Sequence, residues 1–110
     1  MSILAPTDEI TGEISRRILT VGQPEKIILF GSRAQGNHRA DSDYDILIIE
    51  KSSLPRHKRA ARYHRALSGL GREFDLVVWT PDELAEWFHV PNFFATTAVR
   101  EGVVLFEKPV

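Results

Sequence analysis

Residues 28–49 read ILFGSRAQGNHRADSDYDILII. Two apolar runs are separated by a polar loop that begins at Gly31-Ser32, and the second run is entered through Asp43 and Asp45. Residues 26–30 are apolar and β-branched, which predicts a buried strand closed by Gly31. Residues 44–49 predict a second. Side chains alternate faces along a strand, so Asp43 and Asp45 share one face while Tyr44, Ile46 and Ile48 take the other. Two carboxylates roughly 7 Å apart on one face repel each other, and burying them unpaired costs several kcal/mol each. A divalent cation offsets that repulsion economically. A hard ion takes oxygen ligands, and Mg²⁺ commonly uses one or two carboxylates plus substrate phosphates.

A third acid sits in an equally apolar setting. Residues 73–80, EFDLVVWT, predict a third strand, with Asp75 on one face and Phe74, Leu76 and Val78 on the other. If the second and third strands are neighbours, Asp75 meets the pair across the sheet. Three converging carboxylates suit a two-metal site that clamps the attacking and leaving oxygens of a phosphoryl transfer. Gly31 then lets backbone approach a phosphate closely. The Ser32 hydroxyl and the amides of a short helical turn can bind its oxygens, and Arg33 adds positive charge nearby. Each feature alone has a plainer reading: a common turn, a loop that caps a strand, an acid at a sheet edge. Gly-Ser, ten residues, then Asp-x-Asp fixes four positions at once, which is more specific.

The rest of the chain supplies the frame. Residues 7–20 predict a helix, with Thr7 as its cap and Ile10, Ile14, Ile18 and Leu19 at helical spacing, stopped by Gly22 and Pro24. Residues 54–70 predict a second, with Ala60, Tyr63, Leu67 and Leu70 as its apolar stripe. Thr80-Pro81-Asp82-Glu83 is a helix start with cap, first-turn proline and acids. Residues 92–100 predict a last helix, ended by Gly102, before a short strand at 103–106. The order α-β-β-α-β-α-α-β predicts one α/β (α+β) domain across residues 1–110, with a mixed sheet and helices mainly on one face.

At 43% hydrophobic and 26% charged, the composition fits a soluble globular protein. No apolar stretch approaches the roughly 20 residues that span a bilayer. The N-terminus lacks a basic start followed by an apolar core, so no signal peptide is expected. With no cysteine, disulfides and thiolate metal sites are excluded, and a cytoplasmic location is expected. Residues 51–72 hold seven cations and no acid, although the whole chain carries −1. Such a run is either a solvated face or a surface for phosphates, nucleic acid or an acidic partner. Tyr63 is the one aromatic inside it and reads as core. Residues 86–94, EWFHVPNFF, either close one end of the core or form a patch for a partner or for self-association. The histidines have no ligand spacing, and His38 reads as a solvated loop residue.

The motifs GSRAQG and SDYDILI, with FDLVVW and the closing VREGVVLFE, resemble the nucleotidyltransferase superfamily of DNA polymerase beta. The resemblance is closest to the small minimal nucleotidyltransferases of bacteria and archaea, and it covers roughly residues 20–107. It implies that the chain binds ATP with Mg²⁺ at a two-ion site and transfers the nucleoside monophosphate to a hydroxyl, releasing pyrophosphate. By position, Gly31 and Ser32 would hold the triphosphate, Asp43 and Asp45 the metals, and Asp75 would complete the second metal site and help deprotonate the acceptor. Members of this size are often antitoxins encoded beside a HEPN-domain toxin, which they silence by adenylylating a tyrosine. Relatives that act on small molecules usually carry a further substrate-binding domain, for which 110 residues leave no room. A binding module of the same fold that blocks its partner sterically stays open beside the enzyme, as does a nucleotidyltransferase acting on a small molecule or RNA.

Overall fold

The computed structural model describes residues 3–4, 8–36, 39, 42–91 and 93–109. The chain order is β1 (Ile3–Leu4), α1 (Glu9–Val21), β2 (Lys26–Phe30), α2 (Ser32–Gln35), β3 (Tyr44–Ile49), a 3₁₀ turn (Arg56–Lys58), α3 (Ala61–Leu67), β4 (Phe74–Trp79), α4 (Pro81–Trp87), α5 (Phe94–Glu101) and β5 (Val103–Glu107). Among the described residues the strands form one sheet in the order β1-β5-β2-β3-β4. β3 and β4 run parallel, and every other neighbouring pair is antiparallel. The sheet is therefore mixed, as the sequence predicts. The two-residue β1 is too short to leave a periodic signal in the sequence.

Strand alternation sends the apolar side chains to two cores. Ile27, Leu29, Ile46, Ile48, Leu76 and Val78 face Ile14 and Ile18 of α1 and Tyr63 and Leu67 of α3, with Ala34 of α2 against the same cluster. Ile28, Leu47, Ile49 and Trp79 face Ala95 and Ala98 of α5, with Leu84 of α4 alongside. The longest helix, with α2 and α3, thus weights one face, and α4 and α5 cover the other.

Local chemistry sets the element ends. Thr7, expected as the first cap, lies outside the described residues. Asp8 caps α1: its Oδ1 accepts from the Thr11 amide at 2.8 Å, and Thr11 Oγ1 accepts from the Asp8 amide at 3.0 Å. Thr80 caps α4 through a reciprocal box with Glu83, and Pro81 opens the helix, as expected. The helix expected over 54–70 is shorter. α3 spans Ala61–Leu67, preceded by a separate turn at Arg56–Lys58. Ahead of α3 the Arg59 side chain ties the segment down. It is 8% exposed, donates to the Leu54 and Val78 carbonyls, and forms a two-pronged pair with Glu83. That pairing holds residues 54–59 as a loop wrapped over the end of β4.

The basic segment is therefore neither wholly solvated nor wholly free for a ligand. Arg59 is internal, and Arg56 stacks 4.0 Å over Trp79. Arg62 donates to Glu50 Oε1 at 2.6 Å. Tyr63 is buried as expected and donates to Glu50 Oε2 at 2.6 Å. Burial, and then that bond to the Glu50 carboxylate, push the phenol well above its ordinary value. Among the described residues no helix is long and apolar enough to cross a membrane.

Candidate active site

Phe30, the last residue of β2, pairs with Asp45 across an antiparallel ladder. Asp45 pairs with Asp75 across the parallel one. Neighbouring strands lie about 4.8 Å apart. The turn after Phe30, the second carboxylate of Asp-x-Asp and the acid of the third strand therefore stand side by side on three adjacent strands. Asp45 and Asp75 share the parity of Leu47 and Val77, which pack with the α5 core, so both carboxylates leave the sheet on the α4–α5 side. Asp43 lies two residues ahead of Asp45 and is exposed, as is Asp75.

Gly31 is fixed by two requirements. Its φ is 75°, a region that side chains with a Cβ rarely adopt. A methyl added there would also run into the Asp45 carboxylate. The chain turns sharply beside the acid and enters α2 at once, with the amides of Ala34 and Gln35 returning to the Gly31 carbonyl at 3.1 and 3.3 Å. Ser32 is the first helical residue and partly exposed, and no side chain caps this helix start.

Burial, then the charges of Asp75 and Asp43, raise the Asp45 carboxyl above its ordinary value. Asp45 thus feels both other acids. Among the described residues, no three His, Cys, Asp or Glu side chains form a ready metal cage. Asp45 and Asp75 face each other across the ladder, with Asp43 two residues ahead of Asp45. The donor chemistry still fits a divalent cation: oxygen ligands alone, mutually repelling, at a half-exposed sheet end beside a bend open to phosphate.

Arg33 is elsewhere. Its Nε donates to the Ser42 carbonyl at 2.9 Å, and its guanidinium lies 3.9 Å over the Tyr44 ring. Tyr44 belongs to the α1–α3 core. These two contacts brace α2 against β3 on the face opposite Asp45. The Tyr44 hydroxyl faces Asp8 Oδ2 at 3.5 Å, and burial with that negative charge pushes the phenol up. His38 lies outside the described residues.

Sequence reasoning did not find the cleft that flanks Gly31. It lies between α2 and α5, holds about 310 Å³, and includes Phe30 and Phe94 in its walls. The aromatic segment around it divides. Phe93 packs on Trp79 at 4.9 Å between ring centres, whereas Trp87, Phe88 and Phe94 stay 41%, 58% and 43% exposed. Phe93 closes the core as one reading expects, and Trp87, Phe88 and Phe94 leave apolar surface open.

A family profile described as "Polymerase beta, Nucleotidyltransferase" matches residues 13–109, a span that contains the bend and all three acids. The protein adenylyltransferase MntA of Aphanizomenon flos-aquae (strain 2012/KM1/D3) is 31% identical over 109 residues, covering 94% of this chain and 71% of that protein. Among solved structures, a toxin–antitoxin structure with AMP-PNP is similar with a TM-score of 0.65 at 22% identity, over 89% of this chain and 73% of that one. A Sulfolobus solfataricus protein, described as a candidate nucleotidyltransferase, is similar with a TM-score of 0.56 at 22% identity, over 86% and 73%. At that identity the two structures speak for the fold. Profile, relative and strand register agree, and the chain belongs to the polymerase beta nucleotidyltransferase family.

Proposed function

We propose that the chain transfers AMP from ATP to a tyrosine hydroxyl of a partner HEPN-domain toxin and so acts as its antitoxin. The observation that carries this reading is the register that sets Asp45 beside Asp75, one strand from the Gly31 bend. The relative from Aphanizomenon is a protein adenylyltransferase, which supports a protein acceptor. The toxin–antitoxin context of the structural neighbour supports the kind of partner. A location in the cytoplasm belongs to the same proposal.

In this reading Gly31 lets the triphosphate lie close to backbone, and the Ser32 hydroxyl donates to a phosphate oxygen. Asp43, Asp45 and Asp75 would hold Mg²⁺, which when bound supplies positive charge against the phosphate oxygens. A carboxylate oxygen of Asp75, exposed at the sheet edge, takes the proton of the acceptor hydroxyl. The acceptor oxygen bonds to the α-phosphorus, the bridging bond to the β-phosphate breaks, and pyrophosphate leaves.

The exposed aromatics at 87, 88 and 94 favour a second reading, in which the chain neutralises its partner by covering it. Incubation with labelled ATP, Mg²⁺ and the toxin from the adjacent gene separates the two. Label on the partner that falls at least about 100-fold in Asp43→Asn supports transfer. Neutralisation without label, unchanged by that substitution, overturns it.

A further inference from the structure

We propose that the exposed cations of residues 51–72 form a docking strip for an acidic face of the partner protein, laid along the open edge of β4 so that a bound partner meets Asp75. The proposal rests on the reading of the chain as the antitoxin of a partner toxin and adds where that partner is gripped. The segment holds seven cations and no acid. Two acids from outside it, Glu50 and Glu83, take up Arg62, Arg59 and Arg56, and an excess of positive charge is left. Lys51, Lys58, Arg65 and Arg72 are exposed, and among the described residues none of them pairs with a carboxylate. The neighbouring α1 does not cancel the excess. Its Glu13 is shared by Arg16 and Arg17, and Arg17 also donates to the Ala66 and Ser68 carbonyls at the end of α3.

The fold lays this charge beside the chemistry. The Trp79 carbonyl accepts from the Glu50 amide, on the β3 side. Bonding groups alternate along a strand, so the Val78 carbonyl points to the free edge, where Arg59 reaches it at 3.3 Å. The 3₁₀ turn that holds Lys58 therefore sits at the far end of that edge. α3 starts beside the end of β3, where Arg62 meets Glu50, and the chain runs back over the sheet to enter β4. Arg72 stands just ahead of β4, at the end of the edge that bears Asp75. Cations thus mark both ends of a six-residue strand, roughly 20 Å apart.

Charge is what the strip offers. The aromatic ring within it, Tyr63, is buried, so it presents no flat surface for bases to stack on. That favours the carboxylates of a protein over a nucleic acid. Complementary charge steers encounter and fixes orientation, which is what an acceptor needs to arrive at one carboxylate on an open edge.

Stopped-flow association with the toxin from the adjacent gene, without ATP, tests this. In the combined variant Lys51→Gln, Lys58→Gln, Arg65→Gln, Arg72→Gln, association at low salt should slow about 10- to 100-fold and lose most of its salt dependence. With labelled ATP added, the KM for toxin should rise by a similar factor with kcat within twofold. Far-UV dichroism checks folding, and Lys58→Gln with Arg65→Gln stands in where the combined variant is unfolded. Arg100→Gln with Lys108→Gln removes two exposed cations elsewhere and should leave association within twofold. Unchanged association in a folded strip variant overturns the strip and leaves the transferase reading standing. Equal slowing in the Arg100 and Lys108 variant also overturns it, because net charge alone then acts. Weaker binding of a single-stranded RNA by the strip variant, with toxin binding unchanged, overturns it in favour of nucleic acid. Toxin that binds but takes no label overturns the transfer reading alone. A parent chain that neither binds nor labels the toxin overturns the antitoxin reading, and the strip falls with it.

Discussion

Gly31 has a left-handed φ and no room for a methyl group beside Asp45. Either condition alone would favour glycine, and together they make the position a direct gauge of the site. Gly31→Ala should cost about 1–2 kcal/mol from the backbone conformation. In a domain of this size that is a fall in Tm of about 5–15 °C by calorimetric scan. The larger effect should fall on transfer. Moving Asp45 by even about 1 Å is expected to lower kcat about 100-fold, measured as label transferred to the partner. This position was legible in the sequence because glycine at a strand end next to serine is a local signal. The face each acid takes along its own strand was legible too, because a period of two sorts side chains without knowledge of the fold; that Asp45 and Asp75 stand side by side was not, because it needs β3 and β4 to be neighbours. Where Arg33 points was not legible, because a position in the sequence says nothing about the direction of a long side chain; its guanidinium lies over Tyr44.

Between elements, the wrap of residues 54–59 over β4 hangs on the Arg59–Glu83 pair. Two guanidinium bonds, with the Thr80 amide as a further donor, hold the Glu83 carboxyl at about 2, against an ordinary 4.5. A carboxyl depressed in the folded state stabilises above its unfolded value and loses that contribution as pH falls through its folded one. The contribution, on the order of 2–3 kcal/mol, should be intact at pH 6 and vanish between about pH 4.5 and 2. Glu83→Gln should unfold more easily at pH 7 by about 3 kcal/mol, since it strands a buried guanidinium. The gap to the parent chain should close as pH approaches 2, read from urea melts at stepped pH. The sequence reading overran here. The stripe of Ala60, Tyr63, Leu67 and Leu70 has helical spacing, but pairing between residues 24 positions apart leaves no trace in a local pattern.

Across the whole molecule, one sheet end gathers charge while both faces are packed. Mg²⁺ at ten times its dissociation constant should stabilise the folded chain by about 1.4 kcal/mol. The scan should show a rise in Tm of several degrees, and Asp45→Asn should abolish most of it. No rise in the parent chain would leave the row of acids without a cation. The mixed sheet was legible from strand order and apolar runs. The split of helices between faces was not, because it depends on which strands become neighbours. β4, which bears Asp75, has a partner on one side only among the described residues. Under the proposed transfer, a target would reach Asp75 along that flank, where bulk is no obstacle. Its selection would then rest on contacts made at a distance from the chemistry.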